Sequence, residues 1–93
     1  MAAVRVRIAA LLHSYTGGFK IIEVEASTIG EAIAALDRRF PGIAFRIVDE
    51  QNQIRPHMNV FLGEESVRDL TTPITRDGEI YIVGALSGGS LTG

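Results

Sequence analysis

The residues in this chain best suited to chemistry are two glycines near its end, in the small-residue run Ala85-Leu86-Ser87-Gly88-Gly89. The run before it, Glu79-Ile80-Tyr81-Ile82-Val83, alternates as a half-buried strand does. A strand that runs out into Gly-Gly carries its last carbonyl on an arm without side chains. With no Cβ atoms, such an arm enters channels that other residues would block. Extended, Leu86 to Gly89 span roughly 13 Å, enough to carry a carboxyl group from a folded body into a partner's active site. The sequence continues past Gly89, however, through Ser90-Leu91-Thr92-Gly93.

The other reactive side chains do not assemble into a second candidate. There is no cysteine, which removes disulfides, thiolate metal sites and thiol nucleophiles together. His13 and His57 are the two imidazoles, far apart and without a histidine or cysteine at ligand spacing, so both read as structural or surface residues. Asp49-Glu50 and Glu64-Glu65 are adjacent carboxylates, whose side chains diverge on a strand or turn and read as solvated. Gly17-Gly18 lacks the Lys-Ser/Thr of a phosphate-binding loop and reads as a hairpin turn. No catalytic residue and no metal site is expected, and Lys20 is the single lysine.

A chain of 93 residues makes one domain. A net charge of −2 argues against nucleic acid as a partner. Arg5 and Arg7 alternate on one strand face and read as solvated positions. No apolar run reaches membrane-spanning length, and the first residues alternate instead of showing a signal peptide's order, so a cytoplasmic location is expected.

These residues must be positioned by a small set of elements. Val4, Val6 and Ile8 alternate with Arg5 and Arg7, which predicts a strand over residues 3–9, with Leu11-Leu12 continuing into the core edge. The cluster Ser14-Tyr15-Thr16-Gly17-Gly18 is a turn, and Ile22, Val24 and Ala26 mark a second strand over about 19–26, making a hairpin with the first. Thr28 is a helix N-cap with Glu31 completing a capping box. Ile29, Ile33, Leu36 and Phe40 form one apolar stripe, and Pro41-Gly42 stops the helix at Phe40. Between 43 and 56 the period is ambiguous, although Phe45, Ile47 and Val48 need burial. A third strand is expected at about 57–62, a short extended or turn segment around Val67 and Leu70, and a last strand at about 79–84 after the Asp77-Gly78 turn. One helix across one face of a mixed sheet of four to five strands is an α+β solution, the β-grasp or ubiquitin-like architecture. The expected division is a β-grasp domain over 1–87 and a flexible tail over 88–93.

If Met58, Val60 and Leu62 face the helix, Phe61 faces away from it, and Tyr81 and Val83 fall opposite Ile80 and Ile82. Phe61, Tyr81 and Val83 then form a docking patch near the root of the tail. The alternative is that a loop covers Phe61.

The order and spacing of several stretches now resemble those of the ubiquitin-like sulfur-carrier family. They are Val6-Arg7-Ile8-Ala9-Ala10-Leu11-Leu12, Thr16-Gly17-Gly18, Phe40-Pro41-Gly42-Ile43, His57-Met58-Asn59-Val60-Phe61-Leu62-Gly63-Glu64, Asp77-Gly78-Glu79 and Ala85-Leu86-Ser87-Gly88-Gly89. That family includes the small subunit of molybdopterin synthase, the thiamine sulfur carrier and the carrier of a thiocarboxylate route to cysteine. The resemblance covers about Val4 to Gly89, and the segment from Leu11-Leu12 to Thr16-Gly17-Gly18 is most similar to the cysteine-route carriers. It implies a protein cosubstrate, not an enzyme. An activating enzyme would use ATP to adenylate the Gly89 carboxylate, with Leu86, Ser87 and Gly88 threaded into its site. A sulfur donor would convert the acyl-adenylate to a thiocarboxylate, and a sulfur-accepting enzyme, cysteine synthase-like or a molybdopterin synthase large subunit, would consume it. No permanently bound cofactor is implied. Family members usually end at the second glycine. Residues 90–93 therefore suggest a precursor trimmed by a metalloprotease, an inactive paralogue, or a chain whose functional end is Gly93. The same acyl-adenylate would also serve a protein modifier joined through Gly89 to target lysines, and an interaction domain with an irrelevant tail is the third reading.

Overall fold

Alternation along the chain builds the sheet. The computed structural model describes residues 2–9, 12–74 and 78–84. Its strands are β1 (Ala2–Ile8), β2 (Ile21–Ala26), β3 (Met58–Leu62), β4 (Glu65–Val67) and β5 (Glu79–Gly84). They form one five-stranded sheet in the order β2-β1-β5-β3-β4. β1 and β5 are parallel, pairing Val6 with Ile80 and Ile8 with Ile82, and the other pairs are antiparallel. Val4, Val6, Ile22, Val24, Met58, Val60, Ile80 and Ile82 all point to one face and are buried. Arg5, Arg7, Glu23, Glu25, Glu79 and Tyr81 take the opposite positions and are exposed. This is the two-period alternation of a sheet covered on one side only.

The cover is α2 (Ile29–Arg39), which buries Ile29, Ala32, Ile33, Ala35 and Leu36 against the sheet. Its start is held from three sides, because the first N–H groups of a helix have no partner within it. The Thr28 hydroxyl accepts from the Glu31 amide at 3.2 Å. The Ile29 and Gly30 amides donate to the Thr72 and Leu70 carbonyls at 3.1 and 2.8 Å. The Glu31 carboxylate reaches back past the cap and accepts from the Ser27 amide at 2.7 Å, one residue before the expected partner of a capping box. The loop that supplies those carbonyls is braced by Asp69, whose Oδ1 accepts from the Thr71 hydroxyl and amide. These bonds hold the Asp69 carboxyl below its ordinary range. Gly30 lies close to this loop: a Cβ there would sit 3.2 Å from the Leu70 carbonyl oxygen.

The predicted β-grasp holds, with its mixed sheet, parallel central pair and single long helix. The local differences have physical causes. The turn expected at Ser14–Gly18 contains a one-turn helix, α1 (His13–Thr16), ended by Gly17 in a left-handed conformation with φ 67°. Phe19 and Lys20 lie before β2, not within it. The ambiguous stretch forms α3 (Ile43–Ile47), which buries Ile43 and Ile47. Phe45, expected to need burial, is 60% exposed instead. Its ring lies 4.7 Å from the Arg55 guanidinium, and the Phe45 carbonyl accepts from Arg55 Nε at 2.8 Å. Asp37 joins the two helices: its Oδ1 accepts from the Gly42 and Ala44 amides at 3.0 and 3.1 Å and caps α3. After α3, Oδ1 of Asp49 accepts from the Gln51 and Gln53 amides, forming a turn in which Asn52 has φ 61°.

Candidate functional site

β5 is the middle strand of the sheet, and it ends at Gly84. Gly84 pairs with Met58 at the start of β3, and Ile82 pairs with Ile8 at the end of β1. The Ile82 carbonyl also accepts from the Ala9 amide at 3.0 Å. The end of β5, from which the sequence runs on to Gly88-Gly89, is therefore held from both sides, by β1 and by β3. The sequence beyond, with Leu86, Ser87, Gly88 and Gly89, lies outside the described residues.

Beside that end of β5, the uncovered face of the sheet carries the three docking candidates. Phe61 stands directly across from Tyr81, and Asn59 across from Val83. Tyr81 is 46% exposed, whereas Phe61 and Val83 are half-buried. Phe61 keeps part of its ring covered because it sits between two strands, opposite Tyr81 on β5 and Ser66 on β4. All three alternate away from the buried Val60, Ile80 and Ile82 and so share the face opposite the helix. Arg7 lies in register with Tyr81 and pairs with Glu79 at 3.5 Å, with both side chains about half exposed. An ion pair this exposed contributes little stability, so its charges remain available to a partner. Farther from that end, Arg5 lies in register between Glu23 and Glu79. An aromatic and aliphatic strip next to the end of β5, bordered by interleaved charges, can bind a protein surface.

The remaining candidates are dispersed. Nε2 of His13 is 2.8 Å from the Ile8 carbonyl oxygen, which makes it a donor that closes the end of β1. His57 is exposed in the turn before β3. Among the described residues no group of three or more His, Asp or Glu side chains could hold a metal ion. Glu50, Glu64 and Glu65 are exposed, Asp49 is used in its own turn, and Gly17 and Gly18 form a positive-φ turn. Arg68 carried no signal in the sequence, yet it holds the approach to β3. Its guanidinium donates to the carbonyls of Ile54, Arg55 and Met58 at 2.8–3.0 Å. Only the hydrogen bonds reveal this role, since an arginine in a polar stretch reads like any solvated one.

Comparison with known proteins follows the same lines. The chain is 31% identical over 91 residues to the sulfur carrier protein CysO of Mycobacterium tuberculosis, spanning 92% of this chain and 98% of that one. Among solved structures, a chain of the Amycolatopsis orientalis BexX/CysO complex superposes with a TM-score of 0.86 at 31% identity, covering 94% of this chain and all of the other. SAMP1 from Haloferax volcanii superposes with a TM-score of 0.78 at 22% identity, over 95% of this chain and all of that one, a likeness of fold. No family model matches the chain.

Proposed function

The chain belongs to the ubiquitin-like sulfur-carrier family and is of the CysO type, and from that premise we propose that it carries sulfur as a thiocarboxylate on Gly89. The observation that carries the proposal is the place of β5, the strand that leads in sequence to Gly88-Gly89, at the centre of the sheet and next to a face suited to a partner. In the absence of cysteine, a sulfur atom has no side chain to ride on, and a terminal carboxylate is the group left to accept it. An activating enzyme docks on Phe61, Tyr81 and Val83 and receives Leu86, Ser87 and Gly88 as a narrow thread. The Gly89 carboxylate attacks the α-phosphorus of ATP, pyrophosphate leaves, and an acyl-adenylate forms. A hydrosulfide equivalent then attacks the acyl carbon and AMP leaves, which gives the thiocarboxylate.

The thiocarboxylate sulfur is a nucleophile without further help from the carrier. A sulfur-accepting enzyme takes it, and the likeness to CysO supports a cysteine synthase-like acceptor over a molybdopterin synthase large subunit. The BexX/CysO complex supports a carrier of this type working bound to a second protein. Residues 90–93 block the Gly89 carboxyl, and a trimming step, the work of a metalloprotease, precedes activation. Conjugation through Gly89 to target lysines would use the same acyl-adenylate. The SAMP1 likeness lends that route the fold alone.

ATP–pyrophosphate exchange with the cognate activating enzyme tests the proposal. The form that ends at Gly89 is expected to support exchange and the full chain is not. Equal exchange by both forms would remove the trimming step, and exchange by neither would remove Gly89 as the activated end.

A further inference from the structure

The layer opposite the uncovered sheet face has a surface of its own. α2, α3, the turn after α3 and Leu70 line a cleft of about 440 Å³. Its apolar lining comes from Ile33, Ala34, Ala44, Phe45, Val48 and Leu70. Phe45 stands at the rim, 60% exposed beside the Arg55 guanidinium, an aromatic–arginine combination typical of protein interfaces. The charged residues that line the cleft are Asp37 and Asp49, and the Arg55 guanidinium stays at the rim, where it is engaged with the Phe45 ring and carbonyl. Both carboxylates are fixed in place, since Oδ1 of each accepts from two backbone amides. The cleft thus offers a preset pair of negative charges around an apolar floor.

We infer that this cleft docks a basic, apolar-faced segment of a partner protein, on the side of the molecule away from the sheet face. An occupant must supply apolar side chains for the floor and positive charge for the two carboxylates. The chain's own residues 85–93 contain no lysine, arginine or histidine and do not supply that charge. A partner seated here leaves Phe61, Tyr81 and Val83 uncovered, so the protein holds two proteins at once. The inference stands on the cleft and its charges and does not depend on the chemistry at Gly89.

Amide shifts of the full chain, followed by NMR, test it with three short peptides: leucine–arginine, leucine–glutamate and serine–arginine. The leucine–arginine peptide is expected to move the amides of Gly30, Ala44 and Asp49 and to leave Tyr81 unmoved. The other two are expected to leave all four unmoved. Ala34→Leu fills the cleft from an exposed helical position and keeps the helix, because leucine is a good helix former. It is expected to weaken the leucine–arginine peptide by about tenfold or more. Unmoved cleft amides, equal response to the leucine–glutamate peptide, or full binding by Ala34→Leu would overturn the inference. So would cleft shifts that grow with protein concentration in the free protein, which mean a second copy, or that follow Leu91→Ser, which mean the chain's own end.

Discussion

Phe61 and Tyr81 show how two residues of similar chemistry on one face divide their work. They stand opposite each other in register, but Tyr81 is exposed and Phe61 is half-covered by its strand neighbours. Truncating Phe61 therefore costs stability as well as binding, and truncating Tyr81 costs mainly binding. In our account, Phe61→Ala and Tyr81→Ala each weaken the complex with the activating enzyme by about 2 kcal/mol, the loss typical of an interface anchor. Phe61→Ala also lowers the melting temperature, and Tyr81→Ala lowers it less, because it removes the shared cross-strand contact but no half-buried ring. Titration calorimetry and melting curves on both variants separate the two effects. Undiminished affinity in both would move the docking surface elsewhere. The outward direction of these side chains was legible from alternation alone. The partial cover of Phe61 was not, because it depends on which strands flank β3, and sequence periodicity does not order strands.

At the scale of elements, the start of α2 is the most interdependent part of the fold. Two of its amides use carbonyls of the 69–72 loop, and Gly30 permits the approach. Gly30→Ala adds a methyl group 3.2 Å from the same oxygen that accepts the Gly30 amide, so the acceptor must move away. The lengthened hydrogen bond and the shift of the braced loop outweigh the helix-favouring change in the first turn, and a net destabilisation of under about 1 kcal/mol is expected. Urea unfolding at constant slope measures it, and a stabilised variant would show that the loop yields freely. Asp69 braces that loop. The Thr71 hydroxyl and then its amide lower the folded carboxyl's affinity for protons, so its stabilising effect is present above the unfolded value of about 4 and fades as pH falls through the lower folded one. The melting-temperature advantage of the parent over Asp69→Asn is expected to shrink below that value, and a constant gap would contradict it. The strands and α2 were legible because each repeats its period several times. α3 was not: with five residues and an exposed Phe45 it shows less than two turns of pattern, and it is held by Asp37 from another helix.

For the molecule as a whole, the sheet order puts β5, the strand that leads in sequence to Gly88-Gly89, at the centre of the sheet, with the proposed docking face on one side and the cleft on the other. The family was legible in the sequence because its stretches, Gly88-Gly89 among them, keep their order and spacing along one chain, and such a pattern needs no partner to be read. The cleft was not, since Ala34, Ala44, Asp37 and Asp49 are unremarkable until two helices and a turn bring them together. The central claim is that Gly89 accepts sulfur through its carboxyl group. The measurement that tests it most directly is intact mass after incubation of the form ending at Gly89 with ATP, the activating enzyme and a sulfur source. The account predicts the mass gain of one oxygen replaced by sulfur, located by fragmentation at Gly89, dependent on ATP, and much slower in Gly89→Ala because a Cβ crowds the partner's channel. No mass gain, or a gain that does not map to Gly89, would contradict it.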